Sequence, residues 1–360
     1  MDNSNAEKSR VFYYDYLRIV AIFAVVIIHV SSQNWYVTDV NTIAWSAFNF
    51  YDSIARWGVP IFLMISGALI LKKDIKNSTI YSKYVLRMFC SFLVWTLLYF
   101  ILSGENIFEQ CANLFCVKDI KGILTIINSN YHLWFIPMIA GIYICVPIIK
   151  QIIANETITK YFLVLSFILW ICIPQCLNIA NDFGGEKIRL IFGVIGIISS
   201  KMEIKIVMGY IFYFILGYYL SNKELTKKQR VYIYILGIMG MLFTIYADYG
   251  LSIREQKPIG TYYDYSCLNV FLESIAVFVL FKNIKFNKEY KLITLMSKWS
   301  FGAYLIHALI IDYLNRFLGI NSFVFNSYIS VPVVGIIVFT FSYVFSALLN
   351  QIPIIKEYFV

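Results

Sequence analysis

The chain has 360 residues, of which 60% are hydrophobic and only 14% charged, and its mean hydropathy is +0.70. A soluble domain carries about 25% charged residues, so this composition excludes a soluble enzyme or binding module and indicates an integral membrane protein. The net charge of +9 does not point to nucleic acid, because the cations sit between apolar runs, where Lys and Arg report membrane orientation.

In chain order, apolar runs predict about ten transmembrane helices, near 11–31, 43–71, 82–103, 132–149, 160–177, 205–220, 231–248, 265–281, 292–316 and 327–349. This is an all-α, polytopic fold. Residues 1–10 read as a cytoplasmic tail, 11–349 as one transmembrane domain and 350–360 as a second cytoplasmic tail. The run from residue 11 has no small-residue cleavage site behind it and reads as a retained first span. The connections at 72–81 (Lys72, Lys73, Lys76), 221–230 (Lys223, Lys227, Lys228, Arg230) and 282–291 (Lys282, Lys285, Lys288, Lys291) are basic, whereas 32–42 and 317–326 contain no Lys or Arg. That asymmetry is expected when both termini are cytoplasmic. The stretch 178–204 is the exception, with Lys187, Arg189 and Lys201 on the outer side around an apolar run that fits an interfacial or re-entrant helix. Cysteines at 90, 111, 116, 145, 172, 176 and 267 show no C-x-x-C spacing, read as small apolar residues, and leave no metal site to expect.

The first span holds the clearest chemical signal. Arg18 and His29 bracket ten residues without a polar side chain, so both ionisable groups belong to one hydrophobic helix. Eleven steps at roughly 100° return to within about 20° of the same face and advance about 16 Å, half of a bilayer core. Ionisable groups inside a span cost roughly 2.5 to 3.5 kcal/mol on insertion scales, so the shared face must turn to protein or water. His29 has the side chain suited to deprotonate an acceptor hydroxyl, against the alternative of a structural interhelical hydrogen bond. Arg18 has a functional reading, as a ligand of an anionic or polar group, and a bland one, as a headgroup anchor. Asp15, three positions earlier, is placed to orient it.

Other polar groups inside spans each carry a functional and a structural reading. Asp52 and Arg56 are spaced i, i+4 as an ion pair, or Arg56 stabilises an oxyanion beside a helix interrupted at Gly58 and Pro60. Ser66-Gly67 reads as a close helix contact. His132 with Trp134 suits an interfacial pair or an acceptor site, and Tyr304 with His307 a buried hydrogen-bonded pair or a site. Glu273 lies in an apolar run and requires a partner. Lys83 and Arg87 open the third span as cytoplasmic anchors or as ligands of donor phosphates.

Four ordered pieces carry a resemblance. Asp15-x-x-Arg18 with ten residues to His29, Arg56-Trp-Gly-Val-Pro60 running to Ser66-Gly67, His132-Leu-Trp134, and Ser300-Phe-Gly302-Ala-Tyr304-Leu-Ile-His307 together resemble the acyltransferase 3 family of membrane O-acyltransferases. The resemblance implies a ten-span domain in the cell membrane that takes an acyl group, usually acetyl, from cytoplasmic acyl-coenzyme A. The group goes to a hydroxyl-bearing acceptor, often a surface glycan, at the outer face. It also implies that Arg18 and His29 are essential. Many relatives carry R-x-x-R early in the third span; this chain has Tyr84 where the first Arg would fall and offers Lys83 and Arg87.

The resulting expectation makes His29 the base, with Arg18, Asp15 and Arg56 as further catalytic groups. Acetyl-coenzyme A is expected on Arg18, Lys83 and Arg87, and the acceptor near His132, Trp134, Glu273, Tyr304 and His307. The rival expectation is a polysaccharide or small-molecule exporter using the Arg18 and His29 face as its pathway.

Overall fold

The computed structural model describes residues 11–103, 130–286 and 288–360, and among them the chain is helical with no strand. The tail at 1–10 and the cysteines 111 and 116 lie outside the described residues. In lipid every backbone N–H and C=O must find its partner within the chain, which is why such apolar runs become helices. The helices are α1 (Tyr13–Ser32), α2 (Ile43–Ala55), α3 (Gly58–Ile70), α4 (Leu86–Ser103), α5 (Phe135–Ile144), α6 (Val146–Ile153), α7 (Glu156–Ser166) and α8 (Ile173–Phe183). They continue with α9 (Glu186–Lys201), α10 (Ile211–Asn222), α11 (Lys227–Glu255), α12 (Leu268–Asn283), α13 (Lys291–Leu318), α14 (Ser327–Leu349) and α15 (Pro353–Tyr358).

Among the described residues seven helical stretches are long and apolar enough to cross a membrane, and α5 with α6 makes an eighth if the bent pair is one span. The expected spans at 205–220 and 292–316 fall on α10 and α13, which are not among them. With 12 residues α10 is about 18 Å long, and α13 carries Lys291, Lys298, Asp312 and Arg316 along its 28 residues.

At the centre stands α1. Twelve of its 20 residues are buried, and it packs against α2, α3, α13 and α14, so little of its surface is left for lipid. By contrast α9, the apolar stretch between basic ends, buries no residue and lies at the periphery against α8.

Local chemistry explains the breaks. Between α2 and α3 the chain interrupts at Arg56 and Trp57. Pro60 supplies no N–H to the Arg56 carbonyl four residues back, so the helix cannot run straight through. A bend of 60° separates α5 from α6 at Cys145, just before Pro147. Where α3 crosses α10, Gly67 and Gly217 put the two backbones in contact. A Cβ on Gly67 would lie 1.8 Å from the Phe214 carbonyl oxygen, and one on Gly217 2.1 Å from that of Met64.

Candidate functional site

Two cavities open along one face of α1. The larger, about 970 Å³, is lined by Ile28, His29 and Ser32 of α1; the smaller, about 460 Å³, by Arg18, Ile22 and Val25. The positions 18, 22, 25, 29 and 32 advance by three or four residues, the spacing of one helix face. Arg18 and His29 thus share a face, each in its own cavity.

At the larger cavity the three histidines of the chain meet: His29 and His132 line it, and His307 is buried behind them. The His29 ring centroid is 5.0 Å from that of His307, which is 5.4 Å from His132. His29 is partly exposed into the cavity, whereas His307 and His132 are buried. Nδ1 of His307 faces the Tyr304 main-chain carbonyl of its own helix. A carbonyl only accepts, so Nδ1 carries the proton and Nε2 is left as a buried acceptor, with no hydrogen-bond partner among the described residues. No group of three or more His, Cys, Asp or Glu among the described residues is arranged to hold a metal ion.

Tyr99 of α4 grips helix α13 beside these histidines: its hydroxyl donates to the Leu305 carbonyl at 2.8 Å and accepts from the Leu309 N–H at 3.0 Å. These two bonds tie α4 to the turn that carries His307. Nothing in the sequence except a Tyr within an apolar run signalled it.

Arg56 also lines this cavity. Its guanidinium is 2.6 Å from Asp52 Oδ1 and lies over the Tyr263 ring at 4.1 Å. The remaining wall is aromatic and polar: Trp35, Tyr131, Trp134, Tyr210 and Tyr265, with Asn130, Asp264 and the Asp312–Arg316 pair, 2.7 Å apart. Trp134 stacks on Tyr265, centroids 5.9 Å apart. Flat aromatic faces beside polar edges suit a hydroxyl-rich ligand.

The smaller cavity gathers cations: Arg18, Arg87, Lys298 and Lys356. Arg18 Nη1 reaches Ser297 Oγ on α13 at 3.3 Å. Arg87 donates to the Val360 main-chain oxygen and lies over the Phe301 ring at 5.4 Å. Ser91 and Trp95, further along α4, bond the carbonyls of Tyr358 and Phe359 at 3.0 and 2.9 Å, so residues 353–360 pack against α4 beside this cavity. Lys298 and Lys356 were missed from sequence because a lysine near a span end reads as an anchor.

Not every expected site residue joins a cavity. Lys83 is exposed and lines neither; from the π-helical turn Ile80–Val85 it is Tyr84, not Lys83, that lines the smaller cavity with Arg87. Glu273 is buried between α11 and α12, where its Oε1 accepts from Thr244 Oγ1 at 3.0 Å. Its Oε2 is buried with no hydrogen-bond partner among the described residues. Asp15 is buried one turn before Arg18 and does not line either cavity.

Over residues 11–350 the chain matches the acyltransferase domain of the acyltransferase 3 family. It is similar to an amino-acid racemase of Enterococcus faecalis, 26% identical over 238 residues, which are 64% of this chain and 30% of the racemase. The chain therefore spans under a third of that relative's length. A probable poly-beta-1,6-N-acetyl-D-glucosamine export protein of Staphylococcus aureus is 24% identical over 326 residues, 86% of each chain. No solved structure matches. With the family domain covering nearly the whole chain and apolar helices throughout, this is a multi-pass membrane protein of the acyltransferase 3 family.

Proposed function

We propose that the protein moves an acyl group, acetyl as the expected one, from a coenzyme A thioester in the cationic cavity to a hydroxyl of a glycan in the aromatic cavity. The observation that carries this reading is the single face of α1 that places Arg18 in one cavity and His29 in the other. Phosphates are served by Arg18, Arg87, Lys298 and Lys356, of which the two lysines are exposed and mark the mouth. With both termini cytoplasmic, that mouth faces the cytoplasm and the aromatic cavity faces out across the cell membrane.

The transfer is direct. His29 takes the proton of the acceptor hydroxyl, the oxygen attacks the thioester carbon, and the C–S bond breaks. The imidazolium then returns its proton to the departing thiolate. Arg56, which shares the cavity with His29, is the better placed arginine to stabilise the oxyanion; Arg18 is about 16 Å further along α1 and belongs to the donor. His307 packs against His29, ring centroids 5.0 Å apart, and so positions its imidazole.

The test is label transfer from radiolabelled acetyl-coenzyme A to a total surface-glycan extract by purified protein in lipid vesicles. His29→Ala is expected to lower transfer by about 10²- to 10⁴-fold, the usual contribution of a general base. Full activity in that variant removes His29 from the centre. The name of the staphylococcal relative favours a second reading, export. If the protein neither binds nor cleaves the thioester while unmodified glycan crosses the membrane, export replaces acyl transfer.

A further inference from the structure

Among the described residues none lines both cavities. On α1 the smaller cavity ends at Val25 and the larger begins at Ile28; on α13 the corresponding residues are Tyr304 and Ala308. A wall three to four residues thick along either helix, about 4.5 to 6 Å, therefore separates them. That is the thickness of one side chain.

We infer that Tyr304 is the latch of this wall. Its ring faces the smaller cavity, and its hydroxyl donates to the main-chain carbonyl of His132, whose side chain lines the larger one. Around it the ring meets Phe135 at 5.8 Å, His307 at 5.8 Å and His132 at 6.2 Å. The other components of the wall cannot clear it easily. Val25 and Ile28 are short, branched side chains fixed to the central helix, and moving them means moving α1. Tyr304 needs a change of rotamer and the loss of one hydrogen bond. It sits one residue before the turn of α13 that Tyr99 grips through the Leu305 carbonyl and the Leu309 N–H.

A latched wall keeps the contents of the two cavities apart until the side chain swings. In the acyl-transfer reading, on which this consequence rests, the latch shields the thioester from water entering the larger cavity until an acceptor is present.

Isosteric thiols report the wall without donor or acceptor. Ser66 lines the smaller cavity and Ser32 the larger, and both are partly exposed. In sealed vesicles carrying Ser66→Cys or Ser32→Cys, a membrane-impermeant methanethiosulfonate is added to one face at a time. Modification is read at positions 66 and 32 by peptide mass spectrometry, so the native cysteines do not interfere. With Tyr304 in place, position 66 is expected to react from one face only and position 32 only from the other. Adding Tyr304→Ala is expected to let position 66 react from both faces, at least tenfold faster from the newly opened one. Tyr304→Phe keeps the ring and removes the hydroxyl hook; it is expected to raise leakage roughly two- to tenfold, the value of one ordinary hydrogen bond. Reaction of position 66 from both faces with Tyr304 intact overturns the wall. One-sided reaction in both Tyr304 variants overturns the latch. Loss of reaction at position 66 from its original face marks an unfolded Tyr304→Ala protein, and Tyr304→Phe then decides. If acyl transfer is also correct, Tyr304→Ala raises acceptor-independent thioester hydrolysis relative to transfer. If acyl transfer fails, the labelling result still stands.

Discussion

At the scale of single residues, burial and cavity lining separate groups that the sequence presents as equals. Lys83 and Arg87 open the same helix, yet only Arg87 faces the cationic cavity. In the acyl-transfer reading Arg87→Ala is expected to raise the donor KM about tenfold or more, since a hydrogen bond to a charged group is worth about 1.5 to 3 kcal/mol. Lys83→Ala is expected to leave it unchanged, and titration of acetyl-coenzyme A against initial rates compares the two. His307 makes a different prediction. It is buried against the His29 ring, centroids 5.0 Å apart, and does not line the cationic cavity, so it positions His29 and does not touch the donor. His307→Ala is expected to lower kcat at least tenfold with the donor KM unchanged; a rise in KM alone would contradict a positioning role. The face shared by Arg18 and His29 was legible in the sequence because helix periodicity is local. The meeting of three histidines from three distant segments was not, because it depends on how α1, α13 and the 130–134 segment pack.

At the scale of elements, the sharpest constraint is the crossing of α3 and α10. Gly67 and Gly217 bring the two backbones so close that an added methyl meets a carbonyl oxygen rather than a movable side chain. Neither helix can relax by changing a rotamer, so Gly217→Ala must push the pair apart. A cost of about 1 to 3 kcal/mol, that of overpacking, is expected and is read as a fall in the thermal midpoint of purified protein in detergent. An unchanged midpoint means the crossing adjusts freely. The Ser66-Gly67 pair was legible as a packing device, since small residues are what let helices approach in a bilayer. The π-helical turn at 80–85 was not, because no residue type encodes it; there Lys83 is exposed while Tyr84 lines the cavity with Arg87.

At the scale of the whole molecule, the basic connections at 72–81, 221–230 and 282–291 lead to the proposal that both ends of the chain face the cytoplasm. A reporter active only in the cytoplasm, fused after residue 360 or before residue 1, is expected to be active in both positions. Activity at one end alone requires an odd number of crossings and a revised path, most directly through α9, which buries nothing. What the sequence determined by itself is what local chemistry determines: a membrane solvent from hydropathy, helices from the demand that backbone polar groups pair within the chain, and one ionisable face on the first helix from its 3.6-residue period. Only the tertiary structure decided which cations share a cavity, which histidines meet and where the wall stands. Lys298 and Lys356 on two different helices join Arg18 and Arg87, and Tyr304 reaches across to the His132 carbonyl. Such long-range juxtapositions follow from the packing of buried helix faces, which no single stretch of sequence specifies.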